Sequence, residues 1–185
     1  MLSLLTLALV SAAPQMVVVV PVEVIHADAK YAPLARAVQS LIEADLRENG
    51  VPVRTEDDLD SRQWGTIKGA SHVLAASVIP MPDGKVMLQA RLLALPNHIL
   101  GSTRSVGWNE RETMVRVMIQ KLGRSLPTVE PRLLVVNDEL MLAWGLALGA
   151  LHDGDPQNAK KRVAEVALKW PTFTPAVERA AQLGK

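Results

Sequence analysis

Residues 71–95, SHVLAASVIPMPDGKVMLQARLLAL, carry the clearest structural signal in the chain. Apolar residues recur with period two in Ser71–Ile79 and again in Lys85–Leu95, the spacing of strands. Between them Met81-Pro82-Asp83-Gly84 supplies a hairpin turn, because Asp-Gly tolerates the positive φ that tight turns demand. Pro96-Asn97-His98 turns the chain again into a third strand over Ile99–Trp108, so the region predicts a three-stranded meander.

Upstream, Met16–Ile25 (MVVVVPVEVI) is rich in β-branched residues and almost continuously apolar, as a strand buried on both faces is. Pro21 cannot donate to a ladder and predicts a bulge or the end of regular pairing. Pro33–Glu48 has helical period: Leu34, Val38, Leu41, Ile42 and Leu46 form one stripe, with Arg36, Glu43 and Arg47 outside it. Asn49-Gly50 stops that helix, and Val51–Thr55 reads as a short strand. Asp57-Asp58-Leu59-Asp60 reads as the start of a short helix, since carboxylates favour helix N-termini. Beyond the meander, Asn109 with Glu112 three residues later predicts a capping box. The helix it opens has Met114, Val117, Met118 and Leu122 as its apolar stripe. The order β-α-β-(α)-β-β-β-α predicts an α/β (α+β) fold, a mixed sheet covered by helices, over residues 16–126.

Two prolines and little periodicity place a linker at 127–136. Residues 137–185 read as helical throughout. Asn137 caps a helix over Asp138–His152, and Asp153-Gly154-Asp155 breaks it. Asp155-Pro156 has the cap-then-proline form of a new start, running to Lys169, and Trp170-Pro171 ends it. Thr174-Pro175 repeats that start for a short last helix to Leu183.

Of 185 residues, 49% are hydrophobic, enough for a core, but only 3% are aromatic, so aliphatic side chains must fill it. Lys+Arg 20 against Asp+Glu 19, interspersed along the chain, argues against a nucleic-acid partner. The absence of cysteine excludes disulfides, thiolate metal sites and a thiol nucleophile. Leu2–Val10 is apolar and is followed by Ser11, Ala12 and Ala13, the shape of a secretory signal cut between Ala12 and Ala13, although no Lys or Arg precedes the run. Residues 1–13 are therefore expected to be a signal peptide, and the mature chain periplasmic or outer-membrane associated. The run is too short to span a bilayer, and Pro14, Pro21 and Glu23 interrupt its extension, so no membrane span is expected in the mature chain.

The tail resembles a tetratricopeptide repeat when Gly154-Asp155 is set on the glycine-aspartate between that repeat's two helices. Leu146 then falls on the large position of the first helix, Ala147 and Ala159 on small positions where the helices cross, and Pro171 on the terminal proline. Ala150 and Val163 replace the family's usual aromatics. A lone repeat with a capping helix cannot bury its own face, so it must dock on the α/β domain, on another copy or on a partner. The first module resembles the amino-terminal domain of the TolB translocation protein and its CsgG-like and FlgO-like relatives. Residues 69–78, GASHVLAASV, match that group's Gly-x-x-(Tyr/His)-(Val/Leu)-(Leu/Val)-x-(Gly/Ala)-(Ser/Thr)-(Val/Ile) strand, followed by the Asp-Gly hairpin. Its usual Thr-Gly turn is Pro96-Asn97-His98 here, and Val17–Pro21 lacks the aromatic of its opening strand. The resemblance implies export and an envelope role.

No GxGxxG, GxxxxGK[ST] or GxSxG motif is present, and His26, His72, His98 and His152 lack metal-site spacing. No catalytic residue, metal or cofactor is expected. The acidic cluster Glu56, Asp57, Asp58 and Asp60 lacks the glycine of a calcium loop and reads as a solvated helix start. Trp64, Trp108 and Trp144 are candidate anchors because tryptophan is enriched at interface hot spots; Trp108, beside a helix start, reads as core. The expected function is a non-catalytic cell-envelope scaffold or adaptor. It would bind a partner protein, or a second copy, through Trp144, Leu151, Lys160, Lys161 and Arg162. The alternative is a small-ligand sensor or minor enzyme using His26 and Asp28, which follow the first strand where α/β folds place ligands.

Overall fold

The computed structural model describes residues 16–25, 31–55, 64, 67–83, 85–96, 98–124 and 136–184. The leader-like residues 1–13 with Ala12 and Ala13, the His26-Ala27-Asp28 loop, the acidic cluster at 56–60 and the linker apart from Val136 lie outside them. In chain order the elements are β1 (Val17–Val19), β2 (Glu23–Val24), α1 (Ala32–Glu48), β3 (Val53–Thr55), β4 (His72–Pro80), β5 (Val86–Ala94) and β6 (His98–Val106). Helices α2 (Arg111–Lys121), α3 (Asp138–His152), α4 (Pro156–Lys169) and α5 (Thr174–Leu183) follow. The fold is mixed α/β, as expected.

Among the described residues, six strands form one mixed sheet in the order β3-β1-β4-β5-β6, with β2 beside β4. β1 lies parallel to both neighbours, Val17 opposite Val53 on one side and His72 on the other. Val19 faces Leu74, but Glu23 of β2 faces Ser77. Val20, Pro21 and Val22 therefore span what two residues of β4 cross, a bulge at the residue that has no N–H to donate. β4, β5 and β6 form the antiparallel meander. Its hairpin is held by the Lys85 N–H donating to Asp83 Oδ1 at 3.1 Å. That bond, with the Lys85 ammonium 3.2 Å away, keeps the exposed Asp83 carboxyl below its usual range.

The continuous apolar run in β1 is explained by cover on both faces. Val17 and Val19 join the main core under the helices, while Val18 and Val20 pack on the other side with Ile67 and Val73. All five residues of the predicted α1 stripe are buried. Glu43, expected outside the stripe, is buried as well, as is Gln39, because α1 is flanked by α3 in addition to lying on the sheet.

Two expectations for helix starts are corrected. α2 begins at Arg111 after a 3-10 turn over Trp108–Glu110, with no side-chain cap. Asn109 accepts from the Val136 N–H at 3.3 Å and Glu112 pairs with Arg116 at 3.6 Å, so these two do not form the expected capping box, while Glu110 accepts from the Val106 N–H at 3.1 Å. The face α2 buries carries Val115 and Ile119, with Val117 only half-buried. At the last helix Thr174 is already helical and Phe173 occupies the cap position. The other two caps form: Asn137 accepts from the Leu140 N–H at 2.8 Å and Asp155 from the Asn158 N–H at 3.1 Å.

The helical tail docks on the sheet layer through α1. Gly145 of α3 sits so close that a Cβ there would lie 1.9 Å from the Pro33 carbonyl oxygen, a backbone approach only glycine permits. The Trp108 indole N–H donates to Asp138 at the start of α3, and a single apolar core runs from β1 and α1 through Met141, Trp144 and Val163 to Phe173.

Candidate functional site

A cleft of about 910 Å³ lies where the sheet layer meets the tail. Pro21, Val22 and Thr55, at the carboxyl ends of β1 and β3, form its floor side, and the first turns of α1 form one wall. α3 and the start of α4 form the other wall, with Arg179 of α5 at the margin. Open α/β sheets place ligand crevices at this end of their parallel strands.

Its polarity is set by three arginines from three helices. Arg36 lies along α3, its Nη1 3.7 Å from Asp153, and a Cβ at Gly149 would come within 3.3 Å of that same nitrogen. Arg162 is half-buried and donates from Nε to Asn158 Oδ1 at 3.0 Å, one helical turn back. Arg179 is exposed and donates to Gln182 at 3.3 Å. Neither Arg162 nor Arg179 has a carboxylate partner among the described residues. Of the acids lining the cleft, Glu43 is held by Arg47 at 3.1 Å and Asp153 by Arg36. Leu146, 44% exposed, and the half-buried Leu151 add apolar surface to the same lining.

The residues proposed from sequence to meet a partner are divided by the fold. Leu151 and Arg162 line the cleft. Lys160 and Lys161 are exposed outside it, because successive helical residues turn about 100° apart. Trp144 is corrected: it is only 1% exposed and meets Phe173 edge-on, ring centroids 5.5 Å apart, so it serves the hairpin's interior instead of a partner. Trp108 is buried, as its position beside a helix start predicts. A smaller hollow of about 210 Å³ lies between α3 and α4, lined by Ala143, Leu146, Val166 and Trp170, with the Lys169 ammonium 4.7 Å above the Trp170 ring.

Sequence reasoning missed the polar pair beneath the helices. Arg111, 4% exposed, donates to both carboxylate oxygens of Asp45, at 2.7 and 3.3 Å. Burial nonetheless pushes the Asp45 carboxyl above its usual range, outweighing the opposing pull of the guanidinium. His72, whose Nδ1 lies 2.9 Å from Ser71 Oγ, has its pKa lowered by partial burial. Among the described residues no three histidines, aspartates or glutamates converge as metal ligands would, and no helix is long and apolar enough to cross a membrane.

No model of a known protein family matches the chain, and no curated protein does. Among solved structures it is similar to PelC of Paraburkholderia phytofirmans, seen as a dodecamer in two crystal forms, one of them a single-substitution variant. The variant aligns at 18% identity with a TM-score of 0.42, covering 60% of this chain and 89% of PelC. The second form gives 18%, 0.41, 62% and 91%. The TolB-like, CsgG-like, FlgO-like and tetratricopeptide-like patterns rest on the residues quoted for them.

Proposed function

We propose that the chain is a non-catalytic adaptor of the cell envelope that binds another protein where its helical hairpin meets the α/β domain. One observation carries this reading. The hairpin is locked to α1 at Gly145, and the junction leaves a wide cleft whose walls mix the exposed Leu146 with Arg162 and Arg179, which have no carboxylate partner among the described residues. Rigid elements presenting apolar anchors beside unspent guanidinium groups suit protein recognition, in which arginine is an enriched anchor. The apolar run at Leu2–Val10 and the small residues Ala12 and Ala13 support export to the periplasm or outer membrane. Secretion, motility and outer-membrane assembly are the settings the TolB-, CsgG- and FlgO-like pattern suggests.

Cross-linked capture from envelope extract tests the reading. The wild type is expected to recover a defined protein that Leu146→Glu does not. Leu146 faces both concavities and is substantially exposed, so the substitution spares the fold. Equal recovery by both chains, or none by the wild type, would sink the proposal. Amino-terminal sequencing of the native protein, with Ala13 expected first, tests export separately.

A further inference from the structure

We infer that the cleft takes an extended acidic segment of its protein partner, with Arg162 and Arg179 receiving carboxylates and Leu146 and Leu151 receiving apolar side chains. The inference rests on the adaptor reading and adds the chemistry of the partner. At about 910 Å³ the cleft lies toward the upper end of the ~300–1,000 Å³ usual for ligand sites and is far larger than a single inorganic anion needs. Its cations are also dispersed over α1, α4 and α5 instead of converging on one point. Arg162 spends only Nε on Asn158, and Arg179 only Nη1 on Gln182, so each fork keeps donors for a carboxylate. The lining acids among the described residues do not cancel this, because Glu43 is engaged by Arg47 and Asp153 by Arg36. Leucine surface in the same lining as the arginines favours a chain that carries both acidic and apolar groups over a purely polar anion.

Fluorescence anisotropy with labelled short peptides of aspartate and leucine, asparagine and leucine, or lysine and leucine tests this on the full chain. The aspartate peptide is expected to bind at least about tenfold more tightly than the asparagine one, and more weakly as salt is raised. Arg162→Glu with Arg179→Glu should weaken it by about tenfold or more, whereas Lys160→Glu with Lys161→Glu, an equal charge change outside the cleft, should stay within about twofold. Equal affinity for the aspartate and asparagine peptides would overturn the inference. So would equal losses in the two double variants, or displacement of the peptide by inorganic phosphate at a concentration that leaves the asparagine peptide bound. The two readings fail separately. Capture of the envelope partner unchanged by Arg162→Glu with Arg179→Glu removes the acidic-segment inference and leaves the adaptor. Selective binding of the aspartate peptide without capture of any partner removes the adaptor and keeps the cleft's preference.

Discussion

Helix α1 meets α2 along one flank and α3 along the other, and the two seams are built from opposite materials. Toward α2 the contact is polar: Arg111 clasps Asp45 with two hydrogen bonds, out of solvent. Toward α3 the closest contact is steric: Gly145 lies against the Pro33 backbone, and behind it Trp144, Ala147 and Phe173 fill the hairpin, with the exposed Arg36–Asp153 pair at the end of α3. A buried ion pair tolerates one geometry and penalises loss of either partner, while close backbone packing is indifferent to charge but intolerant of volume. The first seam thus fixes how α2 sits on the sheet, and the second sets how near the tail approaches α1 and hence the width of the cleft.

The largest effect is expected at the polar seam. Arg111→Met keeps roughly the volume but leaves Asp45 buried without its partner, and should destabilise the protein by about 3–5 kcal/mol in urea unfolding. Combining it with Asp45→Leu should recover most of the loss, since an apolar replacement for a buried pair is often close to neutral. A double variant no more stable than Arg111→Met would show that the seam depends on more than this pair.

The steric seam should break next. Gly145→Ala places a methyl group within 1.9 Å of the Pro33 oxygen, and forcing the helices apart should cost about 3 kcal/mol. Amide exchange should accelerate in α3 and α4 more than in β4 and β5, because the tail loosens before the sheet does. Gly149→Ala is the control: its methyl would meet only the flexible end of Arg36, and its effect should lie within about 0.5 kcal/mol. Equal losses at the two glycines would remove the special role given to Gly145.

How far each seam could be read in advance follows from the kind of signal it leaves. The meander was legible because period two, Asp83-Gly84 and the turn at Pro96 are local. The caps at Asn137 and Asp155 were legible for the same reason, since each acts within three residues of itself. The tetratricopeptide-like register placed Ala147 and Ala159 on small positions, and both are fully buried. Asp45 and Arg111 were invisible: they stand 66 positions apart, and each alone resembles an ordinary charged helix residue. Trp144 reads from sequence as a partner contact because Phe173, which covers it, arrives from the next helix but one. Of the residues expected to meet a partner, Leu151 and Arg162 are the ones that line the cleft. Arg36 and Arg179 become part of it only when α1, α4 and α5 converge, an outcome no local pattern encodes.

A smaller effect sharpens the contrast by charge alone. Asp45 holds its proton more tightly in the folded chain than in the unfolded one, because burial raises its pKa above the ordinary 3.8. The folded state therefore binds more protons as pH climbs from that value to the raised one, and stability linked to this group must fall across that window. Below it the contribution is fully present; above it the contribution is gone. Asp83 imposes the opposite slope, since its pKa is lowered, so the wild-type curve alone cannot isolate Asp45. Asp45→Asn removes the titration while keeping an oxygen for Arg111. The stability of the wild type minus that of Asp45→Asn should decline as pH rises from 3.8 through the window, and then level off. A difference that rises with pH would mean that the guanidinium outweighs burial and that the α2 seam is held by attraction between full charges. The steric seam at Gly145 has no proton to exchange, so Gly145→Ala should shift the whole pH–stability curve without changing its slope.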